Sequence, residues 1–561
     1  MEARKTIISR ALYVFSLLVL LFGSQWAEAQ PTHPCMNRSG IYPRPEPKYA
    51  GKLARNFSIF DGELAKHPQV QTPAFHSMVH GQTVQQLQQL MRSNKLTSVE
   101  LILYYVHRIK QYDEGLLNSI IELNPDALSI AKKLDAQRKT KKAQGFMHGI
   151  PVLLKDNIAT ADNMHTSAGT AALKAWKPSK DAALVQQLRR QGAIIFGKAN
   201  MSEWANYMDP CMPSGFSTNG GQTRNPYGAY DTWGSSSGSA VAVAADLVTV
   251  SIGSETQGSI IMPAGINSIV GLKPSMGLIS GEGVVPLMLF QDVAGPMGRT
   301  VEDVAVLLTA LAANNDLSRN YAEVVSDPTV WKVGLPDYSA AVIDSLLRRQ
   351  PAGTDSAMRA RSKAFFEGEQ AKIQLQKAEL EKAGLQVVPM AAYDLPNGLN
   401  VGPLLQHGFK RDLNAFLKNL GKEAPFQSLA DIIAWNKADS INRAPYGMGH
   451  LTTAQNNNMS NAAYDSATAD HLKRARAAID GLLTKYGVHA IASSLSQIYA
   501  PAGYPALAVP SGYAANGQPN WLVLVSGKFM EYELLGVGYR YQQATKARKD
   551  PDLEKTISSL K

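Results

Sequence analysis

Residues Trp233–Ile260 read WGSSSGSAVAVAADLVTVSIGSETQGSI. Two clusters of serine and glycine bracket a run of alanine and valine. Within the run, SGSAVAVAADL from Ser237 reads as a small-residue helix, and VTVSIG, ending at Gly253, as a β-branched strand. A helix that hands over directly to a strand is the unit of an α/β layer.

The same alternation recurs on both sides of this stretch. GIPVLLKD is a short apolar run ending in Lys155 and Asp156, DAALVQQLRRQG is a helix closed by Gly192, and AIIFGKAN is strand-like. Late in the chain HLKRARAAIDGLLTKYG feeds VHAIASS, and YPALAVPSG and WLVLVSG follow. Upstream, TVQQLQQLMRSN has helical spacing, and TSVELILYYVHRIKQY opens with Thr97 and Ser98 as N-cap candidates and Glu100 in the first turn. These patterns predict an α/β domain with a mixed or parallel sheet over 76–551 and a tail over 552–561. Residues 30–75, containing IYPRPEPKYAGK, read as an extended arm, and about 339–459 as a helical insertion.

The composition agrees with a large core: 561 residues, 45% hydrophobic and 18% charged. The net charge is +10, but Lys and Arg are scattered without a basic stripe, which speaks against a nucleic-acid groove. The first residues form a three-part secretory pattern: Arg4, Lys5 and Arg10, the apolar run Ala11–Phe22, and AEA at Ala27–Ala29. Residues 1–29 are therefore expected to be a signal peptide, and the mature protein to be exported, to a periplasm or the medium, without a membrane span. Only Cys35 and Cys211 are present, so a single bridge between them or two separate thiols are both open. Asn37-Arg38-Ser39 is a glycosylation sequon for a host that secretes through an ER.

Two serines compete as nucleophile. Ser236 is the centre of GSSSG, which fits the G-x-S-x-G elbow, with His407, His450, His471 and His489 as downstream partners. Ser259 lies in GSETQGSIIMPAG, where a strand delivers a turn whose backbone N–H groups can converge on one oxygen. Lys155 favours Ser259. A lysine ending an apolar run is partly desolvated, which lowers its pKa, so that a fraction is neutral near pH ~7–8 and can act as a base. A serine hydroxyl needs such a base to attack.

HGIPVLLKDNIAT, GAIIFGKANMSEWAN, GGQTRNPYG, GSSSGSAVAVAADL, GSETQGSI, NSIVGLKPSMGLIS and DVAGPMGRTVEDVAVLL follow one another in that order. Together they closely resemble the amidase signature family, with the nearest look to its bacterial peptide-amidase branch. APAGYPALAVPSG and EYELLGVGYRYQQATKARKDP resemble its C-terminal end. The resemblance implies the amidase signature fold, a large mixed β-sheet covered by helices on both faces. It also implies a triad of Lys155, Ser235 held through a cis peptide, and Ser259 as nucleophile. The oxyanion hole would be formed by the N–H groups of Thr256, Gln257, Gly258 and Ser259. Activity would then rise through mildly alkaline pH, because the base must be neutral. No metal or organic cofactor is implied.

The chain departs from the family pattern at Gln257, Ser268 and Trp233. Trp204, Tyr207, Trp233 and Ser236 are candidate pocket residues. The expected partner is a small-molecule or peptide amide, with a monomer or homodimer as the working form. Two other readings remain: a glutaminase-type component of a tRNA-dependent amidotransferase, and a non-catalytic binding protein on the same scaffold.

Overall fold

The computed structural model describes residues 48–560, apart from 51, 54–55, 141–144, 314, 318 and 352. The expected signal segment, the first part of the arm, Cys35 and the Asn37 sequon lie outside the described residues. In chain order the strands are β1 (Ile120–Leu123), β2 (Pro151–Lys155), β3 (Ile194–Ala199), β4 (Phe216–Ser217), β5 (Gly221–Gln222) and β6 (Val250–Glu255). There follow β7 (Val270–Lys273), β8 (Val293–Gly298), β9 (Lys332–Asp337), β10 (Gln386–Ala391), β11 (Ala490–Ala492), β12 (Ala506–Tyr513) and β13 (Pro519–Val525). β4 and β5 pair only with each other; the rest form one mixed sheet in the order β1-β3-β2-β6-β8-β7-β12-β13-β11-β9-β10, flanked by helices.

The centre of the sheet is covered on both faces. Every residue of β2, β3 and β6 is buried, which is why these strands read as continuous apolar or small-residue runs rather than alternating ones. The Ser237–Ala244 helix is likewise buried along its whole length. Its small side chains permit a very close approach: a Cβ on Gly238 would fall 2.3 Å from the Ser119 carbonyl and 2.4 Å from that of Asn200. The N-cap read at Thr97 is present as a reciprocal box, in which Thr97 Oγ1 accepts the Glu100 N–H and Glu100 accepts the Thr97 N–H at 2.9 Å.

Two expectations need correction. The arm over 30–75 is not extended throughout: Ser58–Phe60, Asp61–Lys66, Pro68–Gln71 and Pro73–Val79 are short helices. Proline is compatible with a first helical turn, and Thr72 caps the last of these helices by accepting the Phe75 N–H. The helical insertion is also smaller than 339–459. QVVPMA forms β10, which pairs parallel to β9, so the helices Ala340–Arg348 and Ser356–Lys382 are the crossover between two strands of the main sheet. Pro389 masked the strand; it is tolerated because β10 is the edge and needs no further ladder donor. The inserted part is 402–455, whose helices pack with Trp204, Tyr207 and Phe216 in a second apolar cluster separate from the main core.

β2 and β6 run parallel with Leu154 opposite Ile252, so both end on the same edge of the sheet. Lys155 and Glu255 are their last residues. The C-terminal ends of parallel strands are where open α/β sheets place their sites.

Candidate active site

Lys155 is fully buried. Its Nζ donates to Ser235 Oγ at 2.8 Å, to Ser254 Oγ at 2.9 Å and to the Ser254 carbonyl at 2.9 Å. All three acceptors are neutral. Burial pushes the amine down from 10.5 to about 7, and the charges of Asp292 and Glu255 offset that only in part. Near neutral pH much of Lys155 is therefore the free base. A neutral amine keeps two N–H groups and one lone pair. The Ser254 carbonyl can only accept, and Ser254 Oγ already holds Asn157 Nδ2 at 2.9 Å. With those two sites taking the N–H groups, the lone pair is left for the Ser235 hydroxyl.

Ser235 follows a cis Gly234–Ser235 peptide and is fully buried. Its carbonyl accepts the Ser202 N–H at 3.0 Å. Only glycine fits before it, because a Cβ on Gly234 would lie 2.2 Å from Ser202 Oγ. Ser259 sits beyond the turn that follows β6 and is the one member of the trio with some exposure, at 7%. Its carbonyl accepts the Ser236 N–H at 3.2 Å, and its hydroxyl has no partner among the described residues. The cis-peptide loop and the turn after β6 are thus strapped together next to Lys155.

Ser236 has a different place from the one its motif suggested. It is fully buried, donates to the Ser254 carbonyl at 3.0 Å and accepts the Ser254 N–H at 3.2 Å. It rivets the start of a helix to β6, with its hydroxyl committed in both directions. The four histidines serve other segments. His407 meets Asn461, His471 meets the Ala467 carbonyl, His489 accepts the Lys332 N–H, and His450 stacks on Tyr207 with centroids 4.8 Å apart.

The turn after β6 is held from three sides. Glu255 accepts the N–H of Gly258 at 2.7 Å, of Ile260 at 2.8 Å and of Ile261 at 3.1 Å. Asp292 accepts Thr256 Oγ1 at 2.5 Å, and Gln291 Nε2 donates to the Thr256 carbonyl at 3.0 Å. Gly258 N–H is thereby committed to Glu255 and leaves the expected oxyanion set. Among the described residues, the N–H groups of Thr256, Gln257 and Ser259 donate to no protein acceptor. Ser254, Glu255, Gln291 and Asp292 were missed by sequence reasoning. The first two stand inside the GSETQGSI block and differ from its other residues only in contact; Asp292 opens the DVAGPMGRTVEDVAVLL block, and Gln291 lies just before it with no local signal.

The candidate pocket residues divide. Trp204 and Tyr207 are buried against Phe409 of the inserted helices, with centroids 5.9 and 5.1 Å away. Trp204, Ala205 and Asn206 all hold left-handed φ values of 51°, 56° and 71°. That is a rare conformation for consecutive non-glycine residues, of the kind that concentrates at functional sites. Trp233 is 36% exposed, at φ 48°, and immediately precedes the cis peptide. Cys211 is disulfide-bonded, while Cys35, the other cysteine of the chain, lies outside the described residues. Among the described residues no helix is long and apolar enough to cross a membrane.

Comparison with known proteins places the fold and the family. The Amidase family matches residues 100–501. The structure of native peptide amidase from Stenotrophomonas maltophilia superimposes with a TM-score of 0.74 at 37% identity, over 85% of this chain and 99% of that one. A probable amidase of Arabidopsis thaliana is 34% identical over 485 residues, 84% of this chain and 91% of the relative. One component of the glutamyl-tRNA(Gln) amidotransferase of Coxiella burnetii is 30% identical over 496 residues, 83% of this chain and 98% of that protein. The chain belongs to the amidase family and is a hydrolase acting on amide C–N bonds.

Proposed function

We propose that the protein is an exported amidase that cleaves the C-terminal carboxamide of peptides, with small or fatty acyl amides as the second substrate class, through a Lys155–Ser235–Ser259 triad. The observation that carries the chemistry is Lys155: fully buried, bonded to neutral acceptors only, and 2.8 Å from Ser235 Oγ. The peptide-amide assignment leans on the likeness to the Stenotrophomonas enzyme. Export leans on the Arg4–Ala29 pattern in the sequence.

In the first half-reaction Ser259 Oγ gives its proton to Ser235 Oγ as Ser235 passes its own to the Lys155 lone pair. Ser259 Oγ bonds to the amide carbon, and the carbonyl π pair moves onto the oxygen. The N–H groups of Thr256, Gln257 and Ser259 stabilise that oxyanion. On collapse the C–N bond breaks and the nitrogen leaves with the proton returned from Lys155 through Ser235. Water then repeats the sequence on the acyl-enzyme, releasing acid and free Ser259.

The test is ammonia release by the chain alone over peptide amides, short acyl amides and fatty amides, with Ser259→Ala, Lys155→Ala and Ser236→Ala beside wild type. Release that dies with Ser259 and Lys155 but survives in Ser236→Ala supports the proposal. Release that requires Ser236 overturns the triad. Silence of the chain alone, relieved only by an aminoacylated tRNA together with partner proteins, transfers the protein to the amidotransferase class.

A further inference from the structure

We infer that Glu255, braced by Tyr499, is the positioning residue that assembles the oxyanion hole: by taking the N–H groups of Gly258, Ile260 and Ile261 it leaves those of Thr256, Gln257 and Ser259 for the substrate oxygen. The inference rests on the reading of Ser259 as nucleophile and names how that site is built.

A carboxylate has about four lone-pair sites, and Glu255 fills four. Oε1 accepts Gly258 N–H at 2.7 Å and the Tyr499 hydroxyl at 2.9 Å; Oε2 accepts Ile260 N–H at 2.8 Å and Ile261 N–H at 3.1 Å. Charge-assisted bonds of this kind are roughly twice as strong as neutral ones. The side chain is 1% exposed, so water does not compete for it. Because Glu255 is itself the last residue of β6, its side chain winds the following residues around it, from Gly258 to the first turn of the Ile261–Ile266 helix. Gly258 takes the left-handed φ of 80° that the winding needs. The N–H groups it does not capture are those on either side of Gly258 and at Thr256.

Tyr499 comes from the distant Ser496–Ala502 helix, is fully buried, and directs its hydroxyl at Glu255 alone. Its ring lies 5.9 Å from Nζ of buried Lys273. Glu255 also bears on the base. It and Asp292 are the two carboxylates whose charge favours the ammonium form of Lys155, Glu255 from β6 and Asp292 from the segment before β8. A residue that only held the turn together would not move the protonation of Lys155.

The test uses the full chain and its Glu255→Gln, Tyr499→Phe and doubly substituted variants. Two readouts are taken across pH: phosphonylation of Ser259 by an alkyl fluorophosphonate, resolved into kinact and KI, and amide hydrolysis, resolved into kcat and KM. Labelling needs the nucleophile and the hole but no particular amide. A wrong substrate assignment therefore appears as ammonia silence with labelling intact. In Glu255→Gln, kinact and kcat are expected to fall about 10²-fold with KI and KM within about threefold, and the acid limb to move to lower pH. Tyr499→Phe is expected to lose about fivefold in kinact, and the double variant to be no worse than Glu255→Gln. A wild-type kinact in Glu255→Gln, an unmoved acid limb, or losses that multiply in the double variant overturn the inference. Should Glu255→Gln not fold, Tyr499→Phe decides: a fall in kinact at unchanged KI upholds it, and a wild-type kinact overturns it.

Discussion

Strand β6 has a buried charge cluster at each end, built on opposite terms. Before its N-terminal end, Asp246 meets Arg299 Nη1 at 2.8 Å, His80 Nδ1 at 2.7 Å and Arg108 Nε at 3.7 Å. His80 Nε2 continues to Asp550 at 3.1 Å, and Asp550 meets Arg548 at 2.5 Å. Burial pushes the Asp246 carboxyl up, but Arg299, His80 and Arg108 outweigh it and hold it at about 2. The hydrogen bond to Asp246, with that to Asp550, lifts His80 to about 9. At the C-terminal end, Lys155 has only neutral acceptors, and burial brings it to about 7. The same sheet interior thus fixes charge where counter-ions make direct contact and lowers an amine's pKa where its direct contacts are all neutral. One end is stability; the other is chemistry.

The sharpest way to break that contrast is to remove a reacting group. Ser259→Ala is expected to cut amide hydrolysis by at least about 10⁴-fold while the thermal unfolding midpoint stays at the wild-type value. Retained turnover would end the division of labour argued here. Next in size, Asp246→Ala leaves Arg299 buried without its carboxylate. It should cost about 3–5 kcal/mol of stability in denaturant unfolding, with turnover per folded molecule unchanged.

Proton titration sharpens the contrast, because the two ends carry opposite signs. With Lys155 as the proposed base, kcat/KM should fall about tenfold per pH unit below pH 7 and level off above it. A flat profile between pH 5 and 9 would remove Lys155 as base. Its folded pKa lies below the ordinary 10.5, so burial of the ammonium is a full cost below about pH 7, relieved as pH rises from there to 10.5. The folded pKa of His80 lies above its ordinary 6.5, so its contribution is fully present below pH 6.5 and lost as pH rises through about 9. The stability difference between wild type and His80→Gln should shrink over that window, and that between wild type and Lys155→Met should shrink in its own. The smallest effect belongs to Ser236→Ala. Losing the rivet to Ser254 should cost about 1–2 kcal/mol of stability and less than about tenfold in turnover.

Much of this was legible in residues. The α/β alternation is visible because buried parallel strands are continuous apolar runs, and β2, β3 and β6 appear where GIPVLLKD, AIIFGKAN and VTVSIG stand. The small-residue helix is visible because its closeness to neighbouring backbone leaves room for nothing larger. β10 was not, since Pro389 stands inside its apolar run and burial along this edge strand does not alternate. Ser236 shows the limit of motif reading: GSSSG is a pattern of small residues, and which of its hydroxyls is spoken for depends on β6 lying against it.

The sequence by itself determined the class of layer, through periodicity, and the family, through contiguous blocks whose resemblance also nominates Lys155, Ser235 and Ser259. Only the tertiary structure decided that Ser254 accepts from the Lys155 amine, that Glu255 takes the Gly258 N–H, and that Asp246 gathers Arg108, Arg299 and His80. The reason is physical. A pKa or a free N–H is set by what lies within a few ångströms, and those neighbours arrive from segments that the chain order keeps far apart.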